Sequence, residues 1–431
     1  MVGSRELISR SIMYKKIIFF ITLTVLSATL CAQDYAILIK GGHVIDPKNG
    51  IDEVMDIAIK DGKIVQVAKN IQGKATQVVL AEKLYVTPGL IDIHAHHFFG
   101  TEPHSYLRNS YTAIPPDGFT FRNGVTTVVD AGSPGWRNFQ LYKDQTIDHS
   151  KTRVLAFLNI IGEGMRGGAY EQDLKDTDPK MAALVARQFH PYIVGFKVAH
   201  FEGPDWTIVD HAVEAGKQAG NLPVMVDFGG SIPPLPLEDL LLNHLRKGDI
   251  LTHCFAQIKG RESIVDPTEK KVKPFAWKAR KEGRYFDVGY GGISFSFSQA
   301  IPAIKEGFYP DAISTDIHTG SMNNAMKDML SVMSKCLVMG MSLQQVVAAS
   351  TWQPAQIIKR PELGSLSVGA EADIAILNVL NGNFGYFDYT GYKINGKQKL
   401  ACEMTVRGGE IVYDLNGIAN PIVVAKKQTE H

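Results

Sequence analysis

Eight short apolar runs, separated by helix-patterned stretches, constrain this chain more than any other feature. They are GLIDIHAH from Gly89, TTVVDAG from Thr126, RVLAFLNII from Arg153, YIVGFKVAH from Tyr192, LPVMVDFGG from Leu222, DILTHCF from Asp249, RYFDVGYG from Arg284 and DAISTDIH from Asp311. Between several of them, PKMAALVARQFH, WTIVDHAVEAGKQAG, LEDLLLNHLRKG and PFAWKARKEG space apolar residues three and four apart, the period of an amphipathic helix. Uninterrupted apolar strands alternating with helices indicate a parallel sheet buried on both faces. Eight such units predict a closed (β/α)8 TIM-like barrel over residues 87–363. The alternative is an open doubly wound sheet, but no GxGxxG or Walker-type loop follows any run.

The flanks read differently. YAILIKGGHVID, VMDIAIKDGKIVQVA and QVVLAEKLYVTPG alternate between turn signals, and the same texture returns in ADIAILNVL and CEMTVRGGEIVYDLNG. Both chain ends are therefore expected to build one small β-sandwich from residues 33–86 and 364–431. Residues 1–32 read as a signal peptide, with Lys15 and Lys16 before the apolar run Ile17 to Leu30 and cleavage after Ala32. A periplasmic or secreted protein is expected, since no later run is long enough to span a bilayer. Cys31 offers lipoprotein anchoring as an alternative, which Leu30 before it disfavours. The remaining cysteines, Cys254, Cys336 and Cys402, are too few and too scattered for a disulfide scaffold. With 45 Lys and Arg against 44 Asp and Glu and no long basic run, no nucleic-acid footprint is present. A small molecule is the expected partner, and a homo-oligomer stays open.

Catalytic groups in such barrels sit where strands end. The first run closes on His94 and His96, spaced so that both leave one face of a strand. The fourth carries Lys197, the fifth Asp227, the sixth His253 and the eighth Asp316. One buried histidine is more often a hydrogen-bonded core residue than a ligand. So many ionisable groups in one cavity would be costly unless a cation offset them, and nitrogen and oxygen donors without thiolate point to zinc or a close relative.

In order and separation, GLIDIHAH, GFKVAH, DILTHCF and ISTDIHT resemble the amidohydrolase superfamily of metal-dependent hydrolases, and the likeness extends over GGHVIDPKNG, GSLSVGAEADIAIL and LACEMTVRGGEIVYDLNG. More narrowly, the chain looks like the deacetylase-like branch related to dihydroorotase. That resemblance implies His94, His96 and Asp316 at a buried metal and His253 at a second. It implies one or two divalent ions, zinc by preference, with Lys197, once carbamylated, bridging the two metals. Asp316 would be the general base, accepting a proton as metal-activated hydroxide attacks an amide or ester carbonyl of a small N-acyl or O-acyl compound.

The chain departs from the pattern at three places. Asp227 stands where the family has a histidine ligand; as an anionic metal ligand in place of a neutral one, it is expected to leave the second metal site weaker, empty or differently selective. Ala199 and His200 replace the usual Val and Arg after the bridging lysine, and Tyr290 replaces the histidine of a GHG turn. Tyr290 would either orient substrate through its hydroxyl or close the pocket wall. His318, two residues past Asp316, and Arg166, in the loop IGEGMRGGAY with Glu163, are further substrate-binding candidates. His97 faces away from the pair before it and is expected to pack or support. KDMLSVMSKCLVMGMS reads as outer-barrel packing. Competing functions are a cyclic-amide hydrolase of the dihydroorotase kind and a non-catalytic exported binding protein on the same barrel.

Overall fold

The computed structural model describes residues 34–100, 112–227, 230–231 and 234–422. The expected signal peptide and lipidation site lie outside them. The chain opens with five strands, β1 (Tyr35–Asp46), β2 (Ile51–Lys60), β3 (Lys63–Ala68), β4 (Ala75–Leu80) and β5 (Tyr85–Pro88). Seven more follow in the middle: β6 (Leu90–Ala95), β7 (Val125–Gly135), β8 (Arg153–Asn159), β9 (Ile193–Ala199), β10 (Val224–Asp227), β11 (Ile250–Leu251) and β12 (Tyr285–Phe286). Four close the chain: β13 (Ile374–Phe387), β14 (Lys393–Arg407), β15 (Glu410–Asp414) and β16 (Ala419–Asn420).

The two chain ends form one hydrogen-bonded sheet of nine strands, mostly antiparallel, in the order β15-β14-β13-β5-β1-β2-β3 with β4 and β16 alongside. Its own core comes from alternate residues such as Ile37 and Ile39, Ile57 and Ile59, Ile374 and Ile376, and Met404 and Val406. That alternation is what a strand with one buried face requires.

The middle strands make a separate parallel sheet in strict sequence order, β12-β11-β10-β9-β8-β7-β6. Every residue of β7 is buried, which explains why its text shows no alternation. Side chains divide between two cores: Ile91, Val129, Leu155, Phe157, Val194 and Met225 in one, Val128, Val154, Leu158, Phe196 and Val198 in the other. Seven strands are formed where eight runs were expected. The eighth run, 312–317, lies between the two edges of the sheet, with parallel bridges from Ala312 to Asp287 and from Ile317 to Ala95. The fold is thus mixed α/β, a curled parallel sheet beside a separate antiparallel one.

Helices form largely where the apolar spacing predicted. Pro179–Gln188 begins on Asp178, whose carboxylate accepts from the Lys180 and Met181 backbone amides, with Pro179 at the first helical position. The segment LEDLLLNHLRKG differs: a short turn at Leu237–Asp239 runs into a π-turn at Leu240–His244. Among the described residues no helix is long and apolar enough to cross a membrane. Met329–Met339 packs as its text predicted but also holds a lysine, Lys335, that is 1% exposed.

Lys335 Nζ donates to the Tyr290 hydroxyl at 2.9 Å and to the Ala325 carbonyl at 2.5 Å, and lies 4.1 Å from the centre of the Tyr290 ring. Burial pushes its pKa down to about 7, with Lys327 adding to the effect and Cys336, Asp328 and Asp388 opposing it. An unfolded lysine keeps its proton to about pH 10.4, so between pH 7 and 10 the unfolded state binds more protons and stability rises with pH. Relative to Lys335→Met, the wild type is expected to gain about 2–4 kcal/mol over that window. Thermal melts of both proteins at pH 7 and 9.5 check this.

Candidate metal centre

His94 leaves the end of β6 with both ring nitrogens constrained. Its Nδ1 lies 2.8 Å from Thr252 Oγ1, and that hydroxyl donates to Asp287 Oδ2 at 2.7 Å. Having given its only proton to a carboxylate, the Thr252 oxygen accepts from His94 Nδ1–H, which leaves the Nε2 lone pair facing the cavity. Asp287 is fully buried and takes a second hydrogen bond from Ser314 Oγ at 2.7 Å. Burial raises its pKa to about 6, against the pull of those two hydroxyls. Burial, and then the Lys197 ammonium, keep His94 itself well below the ordinary imidazole pKa, so the ring is neutral as a ligand must be.

His96 is also held from both sides, with Nδ1 2.9 Å from Ser133 Oγ and Nε2 2.8 Å from Asp316 Oδ1. His253 donates Nδ1–H to the Gly289 carbonyl in a short hydrogen bond, again leaving Nε2 turned inward. The eighth run is tied to the first through Asp92, whose Oδ1 accepts from the His94 and Thr315 amides at 3.1 Å each. The Asp316 amide in turn donates to the His94 carbonyl at 2.7 Å. Asp130 performs the same service after β6, accepting from the His97 and Ser133 amides at 2.7 and 2.8 Å.

Nε2 of His94 is 3.7 Å from Asp316 Oδ1, and donor atoms of His94, His96 and Asp316 all lie within 4.8 Å of one another. Two ligands of one tetrahedral zinc stand about 3.4 Å apart. The three groups therefore fit a single divalent ion. Burial alone would raise the Asp316 carboxyl, but the imidazoles of His94, His96 and His318 outweigh it and hold it far below the ordinary carboxylate range. Asp316, His253 and His200 all have left-handed backbones, with φ of 52°, 53° and 52°. Three non-glycine residues in that region, each costing about 1–3 kcal/mol, form a cluster typical of a functional site.

Lys197 is completely buried, its Nζ 3.3 Å from His94 Nε2 and 3.7 Å from Met225 Sδ. Burial lowers its pKa, with Asp227, Asp316 and Asp287 pulling the other way. Its stem fills the space beside Gly132, where a Cβ would come within 2.5 Å of Lys197 Cγ. Asp227 is placed differently from a free ligand: Oδ1 is 2.8 Å from an Arg261 guanidinium nitrogen, and Oδ2 is 3.2 Å from His253 Nε2 and 3.5 Å from His200 Nε2. Burial opposes its ionisation, and Arg261, His253 and His200 hold it well below its usual range all the same. His200 Nδ1 lies 2.9 Å from the buried Glu171 carboxylate.

Among the substrate-binding candidates, His318 has its ring centre 6.2 Å from that of His96. Its Nδ1 accepts from the Gly320 amide at 3.1 Å, so the neutral ring carries its proton on Nε2. Tyr290 stands in the wall: the ring stacks on Phe295 at 4.3 Å, and the hydroxyl donates to the Phe387 carbonyl at 3.2 Å while accepting from Lys335. That hydroxyl has its partners, so substrate orientation by Tyr290, the first of the two expectations, gives way to wall packing. Arg166 pairs with Glu163 at 3.2 Å and stacks on Tyr170 at 4.0 Å. His97 supports: its Nδ1 donates to the Ile114 carbonyl at 2.7 Å.

Sequence reasoning missed Asp92, Asp287, Thr252 and Arg261. The first two had a signal, an acid inside an apolar run that would be costly unless it anchored something. Asp287→Asn keeps the shape but weakens the acceptor that orients Thr252 and, through it, His94. Zinc affinity is expected to fall about 10–100-fold with the fold retained, as a competition titration against a chromophoric chelator would show.

Residues 296–412 match the model of the Amidohydrolase family. A curated protein of Enterococcus faecalis named deacetylase is 32% identical over 389 residues, covering 89% of this chain and all of that one. Two solved structures are 30% identical, each covering 88% of this chain: one titled an adenine deaminase, with TM-score 0.79 over all of its chain, and one titled a dihydroorotase, with TM-score 0.76 over 99% of its chain. Full-length identity above 30% and a shared family model together mean that this chain belongs to the amidohydrolase family and is a hydrolase acting on carbon–nitrogen bonds.

Proposed function

We propose that the protein hydrolyses an amide or ester bond in a small N-acyl or O-acyl compound, at a divalent zinc ion held by His94, His96 and Asp316. The observation that carries this reading is the convergence of those three donors, with both histidines aimed through hydrogen bonds on their Nδ1 sides. A divalent ion bound there would lower the pKa of water toward neutrality and polarise the scissile carbonyl. Lys197, completely buried beside His94, would join the ligands once carbamylated, since CO2 would convert a repelling ammonium into an anionic donor. Asp316, ionised across the working pH range, takes the proton of the attacking water and passes it to the leaving group. His318 offers an Nε2–H to the substrate, and Arg166 an anchor for an anionic group. Residues 312–317 serve as the eighth position of a closed barrel, which brings Asp316 beside His94. On its leader, residues 1–32, the protein is exported.

A cyclic-amide substrate is the second reading, favoured by the likeness to the structure titled a dihydroorotase. Zinc-loaded protein assayed on N-acetyl acids, O-acetyl acids and dihydroorotate separates the two. Acetate release that stops on chelation and returns with zinc is the expected result. Ring opening of dihydroorotate with every acyl compound intact would transfer the site to the second reading.

A further inference from the structure

The second-metal position expected beside His253 is already filled by a built-in charge pair. Asp227 Oδ1 lies 2.8 Å from an Arg261 guanidinium nitrogen as a charge contact, and Oδ2 lies between His253 Nε2 at 3.2 Å and His200 Nε2 at 3.5 Å. The pair is largely shielded from water, with side-chain exposures of 3% and 12% for Asp227 and Arg261. Arg261 is also fixed from its neighbours: the Gly260 carbonyl accepts from the Ser231 amide at 2.9 Å, and the Glu262 carboxylate from the Leu237 amide at 2.8 Å and Lys273 at 2.7 Å. On the far side, His200 is braced by Glu171, whose other oxygen accepts from the Gly167 amide at 2.7 Å. For Asp227 to ligate a second ion it would have to give up its ion pair with Arg261, leaving a guanidinium beside a dication. Among the described residues, the metal-capable cluster of histidines and acids is His94, His96 and Asp316, without His253 or Asp227.

We infer that this chain holds one divalent ion and not two, the Asp227–Arg261 pair standing in the second position as a permanent internal salt bridge. The inference rests on the reading that His94, His96 and Asp316 bind the first ion. It makes Arg261 a positioning residue that sets metal stoichiometry by holding Asp227 away from ligand duty.

Full-length protein stripped with chelator, loaded with excess Zn2+ and desalted is expected to retain one zinc per chain by atomic emission. A Co2+ titration followed by its d–d absorption is expected to saturate at one equivalent. His96→Ala should lose that ion. The double variant Asp227→His with Arg261→Met, which restores a neutral imidazole and removes the cation, should rise to two. Should the double variant not fold, Arg261→Met alone, which frees Asp227, is expected to exceed one. Two ions in the wild type, or one ion in a folded variant, overturns the inference while leaving the hydrolytic site intact. Zero ions in the wild type overturns the first-site reading instead.

Discussion

Asp316→Asn is expected to lower kcat/KM by about 10³–10⁴-fold with the fold unchanged. Asparagine keeps the shape of the side chain and an oxygen to face His96, now 2.8 Å away, but it carries no negative charge and cannot take a proton. Two functions fail together, since the same carboxylate is both ligand and base. The backbone conditions stay intact: the Asp316 amide still donates to the His94 carbonyl, and Ser321 Oγ still donates to the Asp316 carbonyl at 2.8 Å. Circular dichroism and melting should therefore match the wild type while turnover on the best acyl substrate collapses. Retention of more than a tenth of the activity would remove Asp316 from the chemistry.

Gly289→Ala is expected to be nearly as damaging by a steric route. Gly289 has φ of 43°, and a Cβ there would lie 2.3 Å from Thr252 Oγ1 and 2.9 Å from both His253 Nδ1 and His94 Nδ1. None of these atoms is the free end of a flexible chain; each is held in the hydrogen bonds that aim the two histidines. Adding one methyl group must therefore displace Thr252 or both rings, at about 3–5 kcal/mol of stability or a loss of zinc affinity exceeding 100-fold. Gly292→Ala is the matched control. A Cβ at Gly292 meets nothing within 4 Å, so its effect should stay within about 0.5 kcal/mol. Equal melting and zinc affinity for the two variants would show that Gly289 does not constrain the site.

How much of this was legible in the sequence follows from what each part depends on. The parallel sheet was readable because burial on both faces leaves uninterrupted apolar text, as in β7, and the residues closing each run fall at one end by topology. His94, His96 and Asp316 could be placed together on that basis. Arg261 could not, because it sits in a loop after β11 where no period links it to Asp227. The long β13–β14 hairpin was hidden for a similar reason: NGNFGYFDYTGYKINGK is polar and glycine-rich, yet its tip is fixed by tertiary contacts. There the Asp388 carboxylate accepts from the Phe297 amide at 2.8 Å, and the Tyr389 hydroxyl donates to the Gln257 carbonyl at 2.5 Å. Tyr290 shows a further limit. Position marked it as a residue at the strand mouth, but Lys335, 45 positions later, decides which way its hydroxyl is used.

Anomalous diffraction from zinc-loaded crystals, with data on both sides of the zinc absorption edge, tests the central claim most directly. The account predicts one strong peak, enclosed by His94, His96 and Asp316. A strongest peak away from these three side chains, or none at full zinc loading, would contradict it.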